Sequence, residues 1–161
     1  PPRPPPPIFF FNDTATTEIY TLLIVGSVDV YKRQILGYSV VIFKLGITYL
    51  MPPQISKDIL GEGIFVLANL FAITIWVPFV EEIFFRGLLL SVWVPYYGEI
   101  KSIFLVSLIF MLVHSHPGLY VPVFISSLLL SFLFIKTGTI WAPFLSHAIQ
   151  NLLVVVVAAS A

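Results

Sequence analysis

Six side chains have the types and spacing for hydrolytic chemistry: Glu81, Glu82 and Arg86, then His114, then His147 and Asn151. A carboxylate can take a proton from water, an imidazole can orient that water or bind a metal ion, and an imidazole with a carboxamide can stabilise an oxyanion. On a helix, Glu82 and Arg86 are four residues apart and share a face, whereas Glu81 is turned about 100° from Glu82. Glu82 therefore has a local partner and Glu81 has none. His147 and Asn151 share a face in the same way, as do Phe110 and His114. The set suits metal-assisted or carboxylate-assisted attack by water. Cysteine is absent, and Ser146 would project from a different face than His147, so an acyl-enzyme route is disfavoured.

The elements that carry these groups are membrane elements. Of the 161 residues, 58% are hydrophobic and 10% charged, against roughly 25% charged in soluble domains. A zero formal net charge gives no footprint for nucleic acid, so lipid is the surrounding partner. Each centrally placed charge costs about 2.5–3.5 kcal/mol to insert, which makes the Glu-Glu-Arg cluster a functional signal. The plainer alternative is a self-neutralised structural pair, and a lone His or Asn in a span is commonly interhelical glue.

In order, residues 35–50 read as a short helix ended by Pro52 and Pro53, and residues 54–62 as an interfacial connection. Residues 63–96 are too long for one perpendicular span, about 50 Å against a core of about 30 Å, so a tilted helix kinked at Pro78 is expected. A loop comes next around Pro95, Gly98, Glu99 and Lys101, then helices over residues 102–114 and 119–135, a turn at residues 136–138, and a last helix that runs to about residue 158. Thr139 is the expected N-cap of the last, with Pro143 in its first turn. With alternating directions, Glu81, His114, Asn151 and His147 lie about 21, 20, 18 and 12 Å deep, compatible with one shared pocket. The expected fold is an all-α polytopic transmembrane bundle of about four core helices plus one partial N-terminal helix.

The first 34 residues stand apart. Residues 9–22 and 30–34 resemble translated sequencing-adapter DNA, so residues 1–34 are expected to be artefactual or disordered, with a weak strand-like stretch over residues 19–30 as the alternative. Residues 35–61 then form a partial membrane helix and its connection, and residues 62–161 the core.

The motifs Glu81-Glu82-x-x-x-Arg86, Phe110-x-x-x-His114 and His147-x-x-x-Asn151 resemble those of the CPBP family, the Abi or CAAX-protease-like intramembrane proteases. Three motifs in order on successive apolar segments carry the resemblance over residues 63–156. It implies an intramembrane endopeptidase in which Glu81 acts with His114 on water. His147 and Asn151 would hold the oxyanion or complete a metal site, and Glu82, Arg86 and Phe110 would give structural support. Any zinc would fall to His114, His147 and Glu81, a thin ligand set. A hydrophobic or lipidated peptide is the implied substrate and a bacterial cell membrane the implied location. The residue-level alternative is a non-catalytic membrane protein, a bacteriocin-immunity or ion-path element, using the same pocket. Against an ion path, no internal repeat is visible.

Overall fold

The structure is a computed structural model that describes residues 14–53 and 57–160. Five helices make the bundle: α1 (Thr14–Leu45), α2 (Phe65–Tyr97), α3 (Glu99–Val113), α4 (Pro117–Thr137) and α5 (Trp141–Ser160). Short 3-10 turns at Thr48–Leu50 and Lys57–Leu60 lie between α1 and α2. Helices α2, α4 and α5 are long and apolar enough to cross a bilayer, so the protein is an integral membrane protein and the all-α bundle is observed as expected.

Several boundaries differ from the sequence expectation. The Pro-rich segment 1–7 lies outside the described residues. From Thr14 the chain is helical without a break at residue 34, so the strand-like reading of residues 19–30 is corrected. Its β-branched residues favour strands only where a sheet offers partners, and tertiary context decides otherwise here. Helix α1 ends at Leu45, earlier than the expected residue 50, and packs on α4 and α5. Gln34 Nε2 donates to the Pro122 carbonyl at 2.8 Å, and Tyr38 donates to the Leu50 carbonyl at 2.8 Å.

Helix α2 is where the fold serves the site. On either side of the turn that holds Pro78 it contains π-helical stretches, Ala72–Trp76 and Ile83–Leu90. Proline lacks an N–H and its ring crowds the carbonyl four residues earlier. A π turn just upstream widens the helix there and rotates the residues beyond it, a device common at functional sites. Pro95 is inside this helix, not in a loop, because the helix continues to Tyr97. Gly98, at φ +78°, is the single residue between α2 and α3, and a side chain would strain that left-handed turn.

The apolar core behind the site is formed by Phe85 and Leu90 of α2, Val106 and Phe110 of α3, Phe134 of α4 and Ile140 before α5. Buried Ser102, Ser107, Ser127 and Ser131 let α3 and α4 approach neighbouring helices closely. Gly118 has a comparable task, since a Cβ there would collide with the Met51 backbone. Thr139 Oγ1 accepts from Trp141 N at 3.4 Å, as the N-cap reading of α5 requires.

Candidate active site

Arg86 lies in the second π stretch of α2 and is fully buried, as is Glu82. Its Nη1 donates to Glu82 Oε1 at 2.8 Å, the four-residue pair legible in the sequence. The rest of the guanidinium is spent on α4: Nη2 donates to the Ser127 hydroxyl at 2.8 Å and carbonyl at 3.1 Å, and Nε to the Ser131 hydroxyl at 3.4 Å. The Phe110 ring lies 4.8 Å from the guanidinium carbon, a favourable cation–π placement in an apolar setting. The charge is thus neutralised and four of its five N–H groups are hydrogen-bonded, while Glu82 Oε2 is buried without a partner among the described residues.

Glu82 does more than pair with Arg86. The same oxygen, Oε1, also meets His147 Nδ1 at 2.8 Å, across from α2 to α5. A carboxylate only accepts hydrogen bonds, so Nδ1 is the donor. The other imidazole nitrogen, Nε2, lies 3.6 Å from Glu81 Oε2. His147 is therefore held between two adjacent carboxylates, its side chain 8% exposed, with Glu82 closed off and Glu81 26% exposed. Successive residues on α2 point one carboxylate inward and the other to the open side of the same imidazole. Glu81 is the more open of the two carboxylates.

His114 and Asn151 stand further out. His114 caps the C-terminus of α3, where its Nδ1 meets the Phe110 carbonyl at 2.8 Å. The Phe110 ring contacts both imidazoles, with centroids 4.7 Å from His114 and 5.9 Å from His147. Asn151 Nδ2 donates to the Ile73 carbonyl at 2.9 Å, inside the first π stretch. One amide hydrogen of Asn151 thus serves the irregular backbone ahead of Glu81. His116, beyond the α3–α4 turn, accepts from Gly118 N at 3.1 Å as the N-cap of α4.

The expected zinc set of His114, His147 and Glu81 is not assembled. Among the described residues no three His, Cys, Asp or Glu groups converge to hold a metal ion. His147 Nε2 and Glu81 Oε2 approach each other, and the bonds of His147 Nδ1 to Glu82 and of His114 Nδ1 to the Phe110 carbonyl occupy only one nitrogen of each ring, as is usual for imidazoles that ligate metals. A catalytic zinc site takes three protein ligands, and of the expected three, His147 and Glu81 come together.

Two functional contacts escape a reading of the sequence. The tie from Glu82 to His147 spans 65 positions and has no local signature. Ser127 and Ser131, which pack α4 closely against its neighbours, are also the acceptors that fix Arg86; their four-residue spacing on an apolar helix is the available signal. A family model described as type II CAAX prenyl endopeptidase Rce1-like matches residues 63–153, a stretch containing the whole cluster. No curated protein and no solved structure matches the chain.

Proposed function

We propose, from the premise that this chain belongs to the type II CAAX prenyl endopeptidase Rce1-like family, that it cleaves its substrate with a water molecule activated by Glu81 and His147. The family is one of CAAX-protease-like membrane endopeptidases, and the three apolar spans put this member in the bilayer. The observation that carries the finer reading is the position of His147 Nε2, 3.6 Å from the more open carboxylate and backed by the closed one.

Glu81 takes a proton from water as its oxygen attacks the carbonyl carbon of the scissile bond. His147 shares that water and orients it. The proton then passes to the departing amine as the C–N bond breaks, so no covalent enzyme intermediate forms. Asn151, through its remaining amide hydrogen, is the group left for the tetrahedral oxygen, whereas His114, whose Nδ1 donates to the Phe110 carbonyl, has a lone pair on Nε2 with which to accept from the water. Pairing Glu81 first with His147 departs from the resemblance, which pairs it with His114. The family description supports a peptide carrying a prenylated cysteine as substrate, and a lipidated chain suits a site framed by apolar helices.

The test uses the full chain in proteoliposomes and an internally quenched peptide with a farnesylated cysteine three residues from its C-terminus. Glu81→Ala and His147→Ala are each expected to lose on the order of 10²- to 10⁴-fold in kcat, the usual share of a general acid–base group. Retained turnover in both variants rejects the mechanism. With two converging donors, a chelator is expected to leave the rate within about twofold, and abolition of activity restored by zinc would return a metal to the site.

A further inference from the structure

We infer that residues 48–53, between α1 and α2, are a positioning strap for His114. Seated on Gly118, they hold the α3–α4 turn in a strained form, and that form fixes which nitrogen of the His114 ring carries the proton. The inference rests on the endopeptidase reading above, in which His114 accepts from the water, and deepens it.

The turn begins where α3 tightens. A regular α-helix would aim the His114 amide at the Phe110 carbonyl. Here it goes to the Met111 carbonyl at 3.2 Å, and the Ser115 amide follows to Leu112 at 3.4 Å. The Phe110 carbonyl is thereby left to the imidazole, whose Nδ1 lies 2.8 Å away. A carbonyl only accepts, so Nδ1 holds the proton and Nε2 the lone pair that faces water. Were α3 to run on regularly, the backbone amide would compete for that carbonyl and the ring would lose its tether.

What stops α3 is costly. Ser115 has φ +53° and, among the described residues, is the sole non-glycine with a positive φ. His116 N donates back to the His114 carbonyl at 2.7 Å, closing a three-residue turn about Ser115, a strained form at positive φ. Such conformations persist where the surroundings over-determine them, and they cluster at functional sites. The Ser115 side chain makes only a 3.4 Å bond to the Val113 carbonyl, so the turn is held from outside. Pro117 keeps His116 extended, φ −114° and ψ 119°. Gly118 N donates to the His116 ring at 3.1 Å, and Gly118 is buried under the strap. A Cβ on Gly118 would collide with the Met51 carbonyl oxygen and lie 3.0 Å from Pro52 N, so two backbones cross in direct contact. The strap is stiff at that crossing. Met51 is extended ahead of Pro52 and Pro53, φ −66° and ψ 136°. Its amide donates to the Thr48 carbonyl at 3.1 Å, and Tyr38 of α1 donates to the Leu50 carbonyl at 2.8 Å.

The deciding variant is Gly118→Ala in the full chain, assayed in the same proteoliposomes. Alanine is the best helix former, so α4 itself is not weakened, and the change acts through the strap, whose backbone must give way. With the strap in a positioning role, kcat falls on the order of 10- to 100-fold with KM within about twofold. A strap that only stabilises the fold would lower the thermal midpoint and leave the folded protein at wild-type kcat, and that outcome overturns the proposal. In a Ser115→Gly background the same change is expected to cost less than about threefold, because glycine takes a positive φ about as readily as a negative one. An equal loss in both backgrounds also overturns it. Should Gly118→Ala fail to fold, the paired replacement Pro52→Gly with Pro53→Gly slackens the strap and adds no atom at the crossing; wild-type kcat in that variant is equally fatal.

A second readout needs no turnover. In protein labelled with ¹⁵N-histidine, the ring resonances missing from His114→Ala belong to His114. They are expected to show a single Nδ1-protonated tautomer in the wild type and a mixture in Gly118→Ala. A wild-type ring protonated on Nε2, or a ring unchanged in Gly118→Ala, overturns the positioning role. Rings that behave as expected, in a wild type that cleaves no prenylated peptide, fail the endopeptidase reading alone.

Discussion

Helices α4 and α5 bury two polar networks in the same apolar bundle, and only one of them contains charge. The first joins α2, α4 and α5 through Ser127, Ser131, Arg86, Glu82 and His147. The second joins α1, α4 and α5 through neutral groups: Ser126 donates to Gln150 Oε1 at 2.6 Å, Gln150 Nε2 donates to Ser146 at 3.3 Å, and Ser146 meets Ser27 at 2.5 Å. Ser27 spends its own hydrogen on the Ile24 carbonyl at 2.8 Å, so Ser146 must be the donor to it and the chain has one direction. Neutral links of this kind are replaceable, because every hydroxyl can turn to a backbone carbonyl of its own helix. The charged links cannot be replaced singly. Natural bundles build helix contacts from the first kind; here the second kind links Arg86 through Glu82 to His147.

The comparison is broken most forcefully at Arg86. Arg86→Ala would leave the Glu82 carboxylate buried with only His147 beside it, and removal of one partner of a buried pair costs about 3–5 kcal/mol. Against a total stability of about 5–15 kcal/mol, thermal denaturation in detergent should show a large fall in midpoint. A midpoint within a degree or two of wild type would mean that Glu82 is solvated or protonated there, and the charged network would lose its distinction from the neutral one.

One step smaller is Gln150→Leu, which keeps the volume of the side chain but deletes two neutral links. Interhelical hydrogen bonds in membranes average about 0.6 kcal/mol, so the expected loss is about 1 kcal/mol. Peptidase kcat should stay within twofold, since Gln150 touches neither Glu81 nor the Glu82 face of His147. A loss of activity comparable to that of Glu81→Ala would join the two networks into one functional unit.

Parts of this contrast are visible in the chain itself, because they lie along one helix. The bilayer class, the apolar helices and the Glu82–Arg86 pair can be read from composition and from the four-residue period. The family motifs mark Glu81, His114, His147 and Asn151, and of these the fold brings Glu81 directly to His147. Rotation and tilt could not be read. Depth along straight helices separates His147 from Glu81 by about 9 Å, yet their side chains lie 3.6 Å apart. Two π stretches flank residues 77–82, and side-chain propensity does not distinguish a π turn from an α turn. Pro78 was the local warning, and it announced an irregularity without its form. The setting of His114 has a similar origin: Phe110-x-x-x-His114 puts both rings on one face of α3, and the imidazole Nδ1 meets the Phe110 carbonyl.

The smallest expected effect belongs to Ser27, and it tests how α1 is attached. Ser27→Ala removes the last acceptor in the neutral chain while Ser126, Gln150 and Ser146 remain linked. The Ser146 hydroxyl, freed from Ser27, can rotate to the carbonyl one turn earlier on α5, a bond that serines in helices readily make. The net cost should therefore be no more than about 0.6 kcal/mol, with kcat unchanged. Glu82 has no such escape, since its carboxylate cannot donate and no helix carbonyl can donate to it. If Ser27→Ala instead costs as much as Arg86→Ala, α1 is held chiefly by this one contact, and the neutral network, not the charged one, would be the part of the bundle that cannot tolerate a missing member.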